Sequence, residues 1–149
     1  DVVGQTYPGW GSSSLDSPER DALSIKNMLN NLTGTKYSVI NSVTNKSASD
    51  ILSEIDKVFK LASGNDVTIF YYSGHGASDG SLVGTDYTYL SPWDLRCALD
   101  AYKGKKVILI DACYSGAMIG NDSSSSAPKA SSFNNAFLKA FSSYESNGS

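Results

Sequence analysis

Apolar positions along this chain alternate between short continuous runs and stretches with helical spacing. Asp1 to Thr6 (DVVGQT) predicts a short strand, and Tyr7 to Asp16, rich in Gly, Ser and Pro, predicts a loop. Ser17-Pro18-Glu19 then supplies an N-cap, a proline at the first helical position and an acid in the first turn. Ala22, Leu23, Ile25, Met28, Leu29 and Leu32 follow at helical spacing, and Thr33-Gly34 stops the helix. Tyr37 to Val43 predicts a second strand. Ser47 and Asp50 form a capping box before Ile51, Leu52, Ile55, Val58, Phe59 and Leu61, a second amphipathic helix ending near Gly64.

Asp66 to Tyr72 (DVTIFYY) reads as a strand buried on both faces, and it runs into Ser73-Gly74-His75-Gly76. Ala77 to Leu90 predicts a loop with a small hairpin. Ser91-Pro92 opens a third helix through Tyr102, ended by Gly104. Lys106 to Ile110 (KVILI) reads as a second fully buried strand, running into Asp111-Ala112-Cys113-Tyr114-Ser115-Gly116. Residues 120–132 are polar and of low complexity, a mobile loop, and Phe133 to Tyr144 reads as a last helix.

Strands alternating with helices predict an α/β fold with a mostly parallel sheet, and no internal repeat interrupts it. Four strands make a narrow sheet, with Lys106 to Ile110 at or near its edge. An apolar strand left at an edge is an aggregation hazard, so further sheet is expected from a segment outside this chain.

The 149 residues fit one domain, and 40% apolar with 18% charged residues suit a packed core. A net charge of -3 argues against a nucleic-acid binder, which would present a basic face, and against a polybasic membrane anchor. No apolar run approaches the ~18 residues that span a bilayer, and no leader peptide is expected at the start. Three Cys and His side chains (Cys97, Cys113, His75) fall short of a tetrahedral zinc set, so no metal site is expected. Asp79 and Asp86 read as solvated loop acids. They do not define an EF-hand, though calcium stays open.

One cysteine with one histidine elsewhere in the chain is the pattern of a thiol nucleophile. His75 and Cys113 each follow a strand, and ligands of open α/β sheets bind at the carboxyl ends of strands. Gly74, Gly76 and Gly116 let a substrate backbone approach and leave N–H groups free for an oxyanion. The imidazole favours the thiolate and can protonate a leaving amine. No third triad member is evident, and a dyad suffices for a thiol. Against this stand plainer roles: His75 as a satisfied loop histidine, Cys113 as a structural thiol, Asp111 as a turn cap, and Asp21 as a first-turn helix acid. Cys97, among Leu95, Ala98 and Leu99, reads as core.

YYSGHG at Tyr71 to Gly76 and DACYSG at Asp111 to Gly116 resemble the His-Gly and Asp-x-Cys-x-Ser-Gly motifs of caspase-like cysteine peptidases, from Val2 to about Phe141. That clan includes caspases, metacaspases, paracaspases, legumains and clostripains. The resemblance implies a three-layer α/β/α fold over residues 1–149, completed by a C-terminal small subunit of the same precursor. It implies catalysis by His75 and Cys113, with the N–H groups of Gly76 and Cys113 as oxyanion hole. Asp111, Asp21 (in ERDAL) and Ser73 match residues of the primary specificity pocket. An aspartate at position 111, where caspases carry glutamine, implies cleavage after Arg or Lys. Activation by proteolytic processing is expected, with Lys129 as a self-cleavage site to consider, and no cofactor is required. Tyr114 and DLRCALDAYKGKKVILIDACYSG look closer to bacterial caspase-like or legumain-like members than to metacaspases proper.

Two rival readings remain. Gly74 to Gly80 mimics a dinucleotide loop, but it follows a late strand and precedes a polar loop rather than a helix. The second is a catalytically inactive or latent caspase-like module acting through protein interaction. The partners expected are a peptide or protein substrate and the small subunit, with no nucleic acid and no membrane. The compartment is left open, and the Ser-, Asn- and Gly-rich surface suits a secreted or cell-surface bacterial protein.

Overall fold

The computed structural model describes residues 1–31, 37 and 40–119. The chain runs β1 (Val2–Gly4), a 3-10 turn (Gly11–Ser13), α1 (Pro18–Asn31), β2 (Ser42–Thr44) and α2 (Ala48–Phe59). Then come β3 (Val67–Ser73), a hairpin of β4 (Leu82–Val83) and β5 (Tyr89–Leu90), α3 (Pro92–Asp100), β6 (Lys105–Asp111) and a 3-10 turn (Ser115–Ile119). Leu32, the helix stop at Thr33-Gly34, the polar loop 120–132 with Lys129, and the helix expected from Phe133 to Tyr144 lie outside the described residues.

Four strands form one parallel sheet in the order β2-β1-β3-β6. Two helices start where their caps dictate. Ser47 Oγ accepts from Asp50 N–H at 3.0 Å, and Ser91 Oγ accepts from Asp94 N–H at 3.1 Å, each satisfying an otherwise orphaned helix donor. Pro92 occupies the first turn of α3, where a missing N–H does no harm.

Helices cover both faces of the sheet. On one, Ile51, Ile55 and Phe59 of α2 and Leu95 and Leu99 of α3 pack against Phe70 and Tyr72 of β3. On the other, Ala22 and Leu29 of α1 pack against Val2 and Tyr71. Each fully buried large side chain contributes roughly 1.5–3 kcal/mol, so the α2/α3 face holds most of the apolar stabilisation.

Tertiary position modifies several expectations. The second strand is shorter than Tyr37 to Val43: only Ser42–Thr44 pairs, because β1 offers three partners, Val2, Val3 and Gly4. Positions 38 and 39 lie outside the described residues. β3 is buried only from Phe70 onward, and β6 is half-buried through its middle with exposed ends, not fully buried. Among the described residues β6 is the sheet edge, with a neighbour on one side only. Cys97 is exposed rather than core: α3 buries Leu95 and Leu99, and a residue two past Leu95 points to the opposite side of a helix. Leu23, Met28 and Leu61 are also exposed.

Candidate active site

Register brings the two strand-end motifs together. Ser73 pairs with Asp111 at the last rung of the β3–β6 ladder, and Gly74 N–H donates to Asp111 C=O at 3.1 Å. His75 and Cys113 each stand two residues beyond that rung. The loops then touch through backbone: a Cβ at Gly76 would overlap the Cys113 carbonyl oxygen, so only glycine fits. The bridge between Gly76 and Leu82 is made by flanking bonds, Ala77 N–H to Ser81 C=O (2.8 Å) and Val83 N–H to His75 C=O (3.1 Å). Those bonds leave the Gly76 N–H out of the ladder. Cys113 is exposed, and the described contacts include no hydrogen bond between its thiol and the imidazole.

His75 is held from four sides. Its main-chain N–H donates to Tyr7 Oη at 2.7 Å, and its C=O accepts from Tyr72 Oη at 2.9 Å. The two phenols lie 2.8 Å apart, both fully buried. A Cβ at Gly74 would meet them at 2.7 and 2.8 Å, which explains the glycine before the histidine. Burial pushes the Tyr7 and Tyr72 hydroxyls above their ordinary range, so the pair stays neutral. The Tyr7 ring lies 4.4 Å from the imidazole centroid. On the ring itself, Nε2 stands 2.6 Å from Ser13 C=O. A carbonyl only accepts, so Nε2 carries the proton, and Nδ1 is the nitrogen left for a neighbouring thiol.

The loop that supplies Tyr7 and Ser13 is itself braced. Asn45 Oδ1 accepts from the N–H groups of Thr6 (2.8 Å) and Tyr7 (3.2 Å), and Ser14 Oγ donates to Tyr7 C=O at 2.9 Å. These bonds hold Tyr7 at φ 56°, a left-handed conformation that a bulky side chain rarely adopts.

Ser73 pairs with Asp111, and the charges of Asp111 and Asp21 reach a residue that sequence reading passed over, Tyr71. Its pKa is pushed up to about 12, first by burial and then by the charges of Asp111 and Asp21. All four lie at the carboxyl end of the sheet, on the α1 side. Period-2 alternation carries the signal, because residues 71 and 73 share one face of β3. Ser13 left no such signal, since any residue offers a carbonyl. The loop acids are turn caps: Asp79 Oδ1 accepts from Ser81 N–H (2.9 Å), and Asp86 Oδ1 from Thr88 N–H (3.3 Å) and Oγ1 (2.5 Å). Those bonds lower both carboxyl pKa values. Among the described residues no group of three or more His, Cys, Asp or Glu is placed to hold a metal.

A family model described as a caspase domain matches residues 2–149. No curated protein matches the chain.

Proposed function

The chain belongs to the caspase-domain family of cysteine peptidases, and from that premise we propose that it hydrolyses peptide bonds after Arg or Lys. Cys113 attacks the scissile carbonyl as the thiolate, and His75 takes the thiol proton through Nδ1. The tetrahedral oxyanion is met by the N–H groups of Gly76 and Cys113. His75 then hands its proton to the departing amine, and water, deprotonated by the same imidazole, releases the acyl group. Ser13 C=O holds the ring in the tautomer that this proton transfer needs.

The observation that supports the basic specificity is the register that sets Ser73 beside Asp111 at the last rung, with the charges of Asp111 and Asp21 both felt at Tyr71. Two carboxylates beside a neutral phenol and Ser73 make a site for a guanidinium or ammonium group, with Arg able to bind a carboxylate bidentately. Activation by proteolytic processing belongs to this reading, as does a C-terminal small subunit of the same precursor pairing with the β6 edge. No cofactor enters the chemistry.

The experiment compares fluorogenic peptides carrying Arg, Lys, Asp or Asn before the scissile bond, using the full-length protein and its Cys113→Ala variant. Cleavage after Arg and Lys that vanishes in Cys113→Ala is the expected result. Cleavage confined to Asn or Asp keeps the peptidase and removes the acidic pocket. No Cys113-dependent cleavage after any residue, with calcium or without, sinks the reading in favour of a latent or inactive module acting through protein interaction.

A further inference from the structure

Backbone strain in this protein is concentrated around one place. Among the described residues, four that are not glycine have positive φ: Tyr7 (56°), Asn45 (53°), Tyr87 (64°) and Tyr114 (58°). Asparagine tolerates this region, whereas a tyrosine there is strained. Tyr7 holds His75, Asn45 holds Tyr7, and Tyr114 follows Cys113. Tyr87 has no such duty in the site, and glycine would sit in its turn without strain.

The turn does not need a tyrosine to form. Gly84 N–H donates to Thr88 C=O at 2.8 Å, Tyr87 N–H donates to Gly84 C=O at 3.2 Å, and Asp86 caps Thr88. Ala48 N–H to Thr88 Oγ1 (2.9 Å) and Thr85 N–H to Lys46 C=O (3.0 Å) anchor it to the start of α2. The side chain instead reaches Trp10. The two rings stack at 4.0 Å and 7°, while Tyr87 stays 64% exposed. Neither Trp10 nor Tyr87 belongs to either apolar core.

Trp10 connects this exposed ring to the chemistry. Its indole N–H donates to Thr85 C=O at 3.1 Å, which fixes the ring plane. The same ring faces His75 at 6.0 Å and 21°, and touches Tyr7 at 4.8 Å. A continuous set of aromatic rings therefore runs from solvent to the imidazole.

We propose that the Trp10–Tyr87 stack is a substrate subsite for an aromatic side chain flanking the scissile bond. The inference rests on the peptidase reading above and adds a second determinant to it. A peptide whose scissile bond lies between Cys113 and His75 must pass the rings packed on His75. Rigid, partly solvated aromatic faces bind a flat apolar side chain by stacking and by loss of water, with little ordering of the protein. The strained backbone of Tyr87 keeps its ring in that position before substrate arrives.

The test uses Arg peptides with Trp or Gly on either side of the scissile bond, cleaved by the full-length protein. Trp at one flanking position is expected to raise kcat/KM about tenfold over Gly. Tyr87→Gly, which relieves the strained φ, is expected to bring that ratio close to one, and Trp10→Ala to do the same. A wild-type ratio near one, or a ratio unchanged in Tyr87→Gly, overturns the proposal. Binding separates this outcome from failure of the peptidase reading. In Cys113→Ala, binding of each peptide is read by calorimetry. The Trp peptide is expected to bind about tenfold more tightly than the Gly peptide, whether or not cleavage occurs. Equal affinities for both peptides, or no binding, overturn the subsite.

Discussion

The two faces of the sheet are built for different ends. The α2/α3 face is a large dry core in which Ile51, Ile55, Phe59, Phe70, Leu95 and Leu99 are almost wholly excluded from solvent. The α1 face begins the same way, with Val2, Ala22 and Leu29, but toward the carboxyl ends it turns polar: Tyr71, Ser73, Asp21 and Asp111. One face holds the fold together, and the other gives up apolar contact to gather charge beside the strand ends. A site of like charges is tolerable because the packing that stabilises the protein lies on the opposite side.

The sharpest way to break this division is Phe70→Ala, which empties the dry face. Removing a buried phenylalanine is expected to cost about 3–5 kcal/mol of stability, read from urea unfolding. A loss below about 1 kcal/mol would mean that the face collapses to fill the gap.

Asp111→Asn probes the polar face. It is expected to lower kcat/KM for Arg and Lys peptides about 100-fold, as removal of one partner of a desolvated charge pair does, while unfolding changes little. The phenol offers a second readout. Since the Asp111 and Asp21 charges raise the Tyr71 pKa, Asp111→Asn and Asp21→Asn should each move it down from about 12. A Tyr71 titration unmoved by either substitution would mean that the three groups do not share a site.

Tyr72→Phe joins the two faces, because its ring packs in the dry core while its hydroxyl holds His75 C=O. Loss of that hydroxyl is expected to cost about 1–2 kcal/mol of stability and to lower kcat with little change in KM. A variant with both kcat and stability unaltered would separate the phenol pair from His75.

Alkaline pH tests the buried phenols of both faces together. Tyr71 has its folded pKa raised from 10.0 to about 12, so the native state binds the proton more tightly than the unfolded chain. Its contribution is complete below pH 10 and is lost as pH rises through about 12. Tyr7 and Tyr72 shift in the same direction. Urea midpoints should therefore fall on going from pH 9 to pH 11, in step with phenolate absorbance appearing on unfolding. A flat midpoint over that range contradicts the buried neutral phenols.

Much of the architecture was legible because its causes are local. Helix starts followed Ser47 and Ser91, the strand–helix alternation followed the change of apolar period, and both Gly-flanked motifs stood out at strand ends. Burial was less legible. The run KVILI looks the same whether it has one neighbour or two, so the half-exposure of β6 depended on its place in the sheet. Cys97 was misjudged because its apolar neighbours in sequence are not its neighbours in space.

The sequence by itself determined an α/β chain and its membership of the caspase-domain family, and it nominated His75 and Cys113 as candidate chemistry. Residue type and spacing encode these directly. Only the tertiary structure decided that Ser13 C=O reaches His75 Nε2, that two buried phenols hold the His75 backbone, and that Tyr71 feels the charges of Asp111 and Asp21. Those contacts join residues far apart in the chain, through backbone atoms and side chains whose identity does not name their partner. Folding alone brings them together.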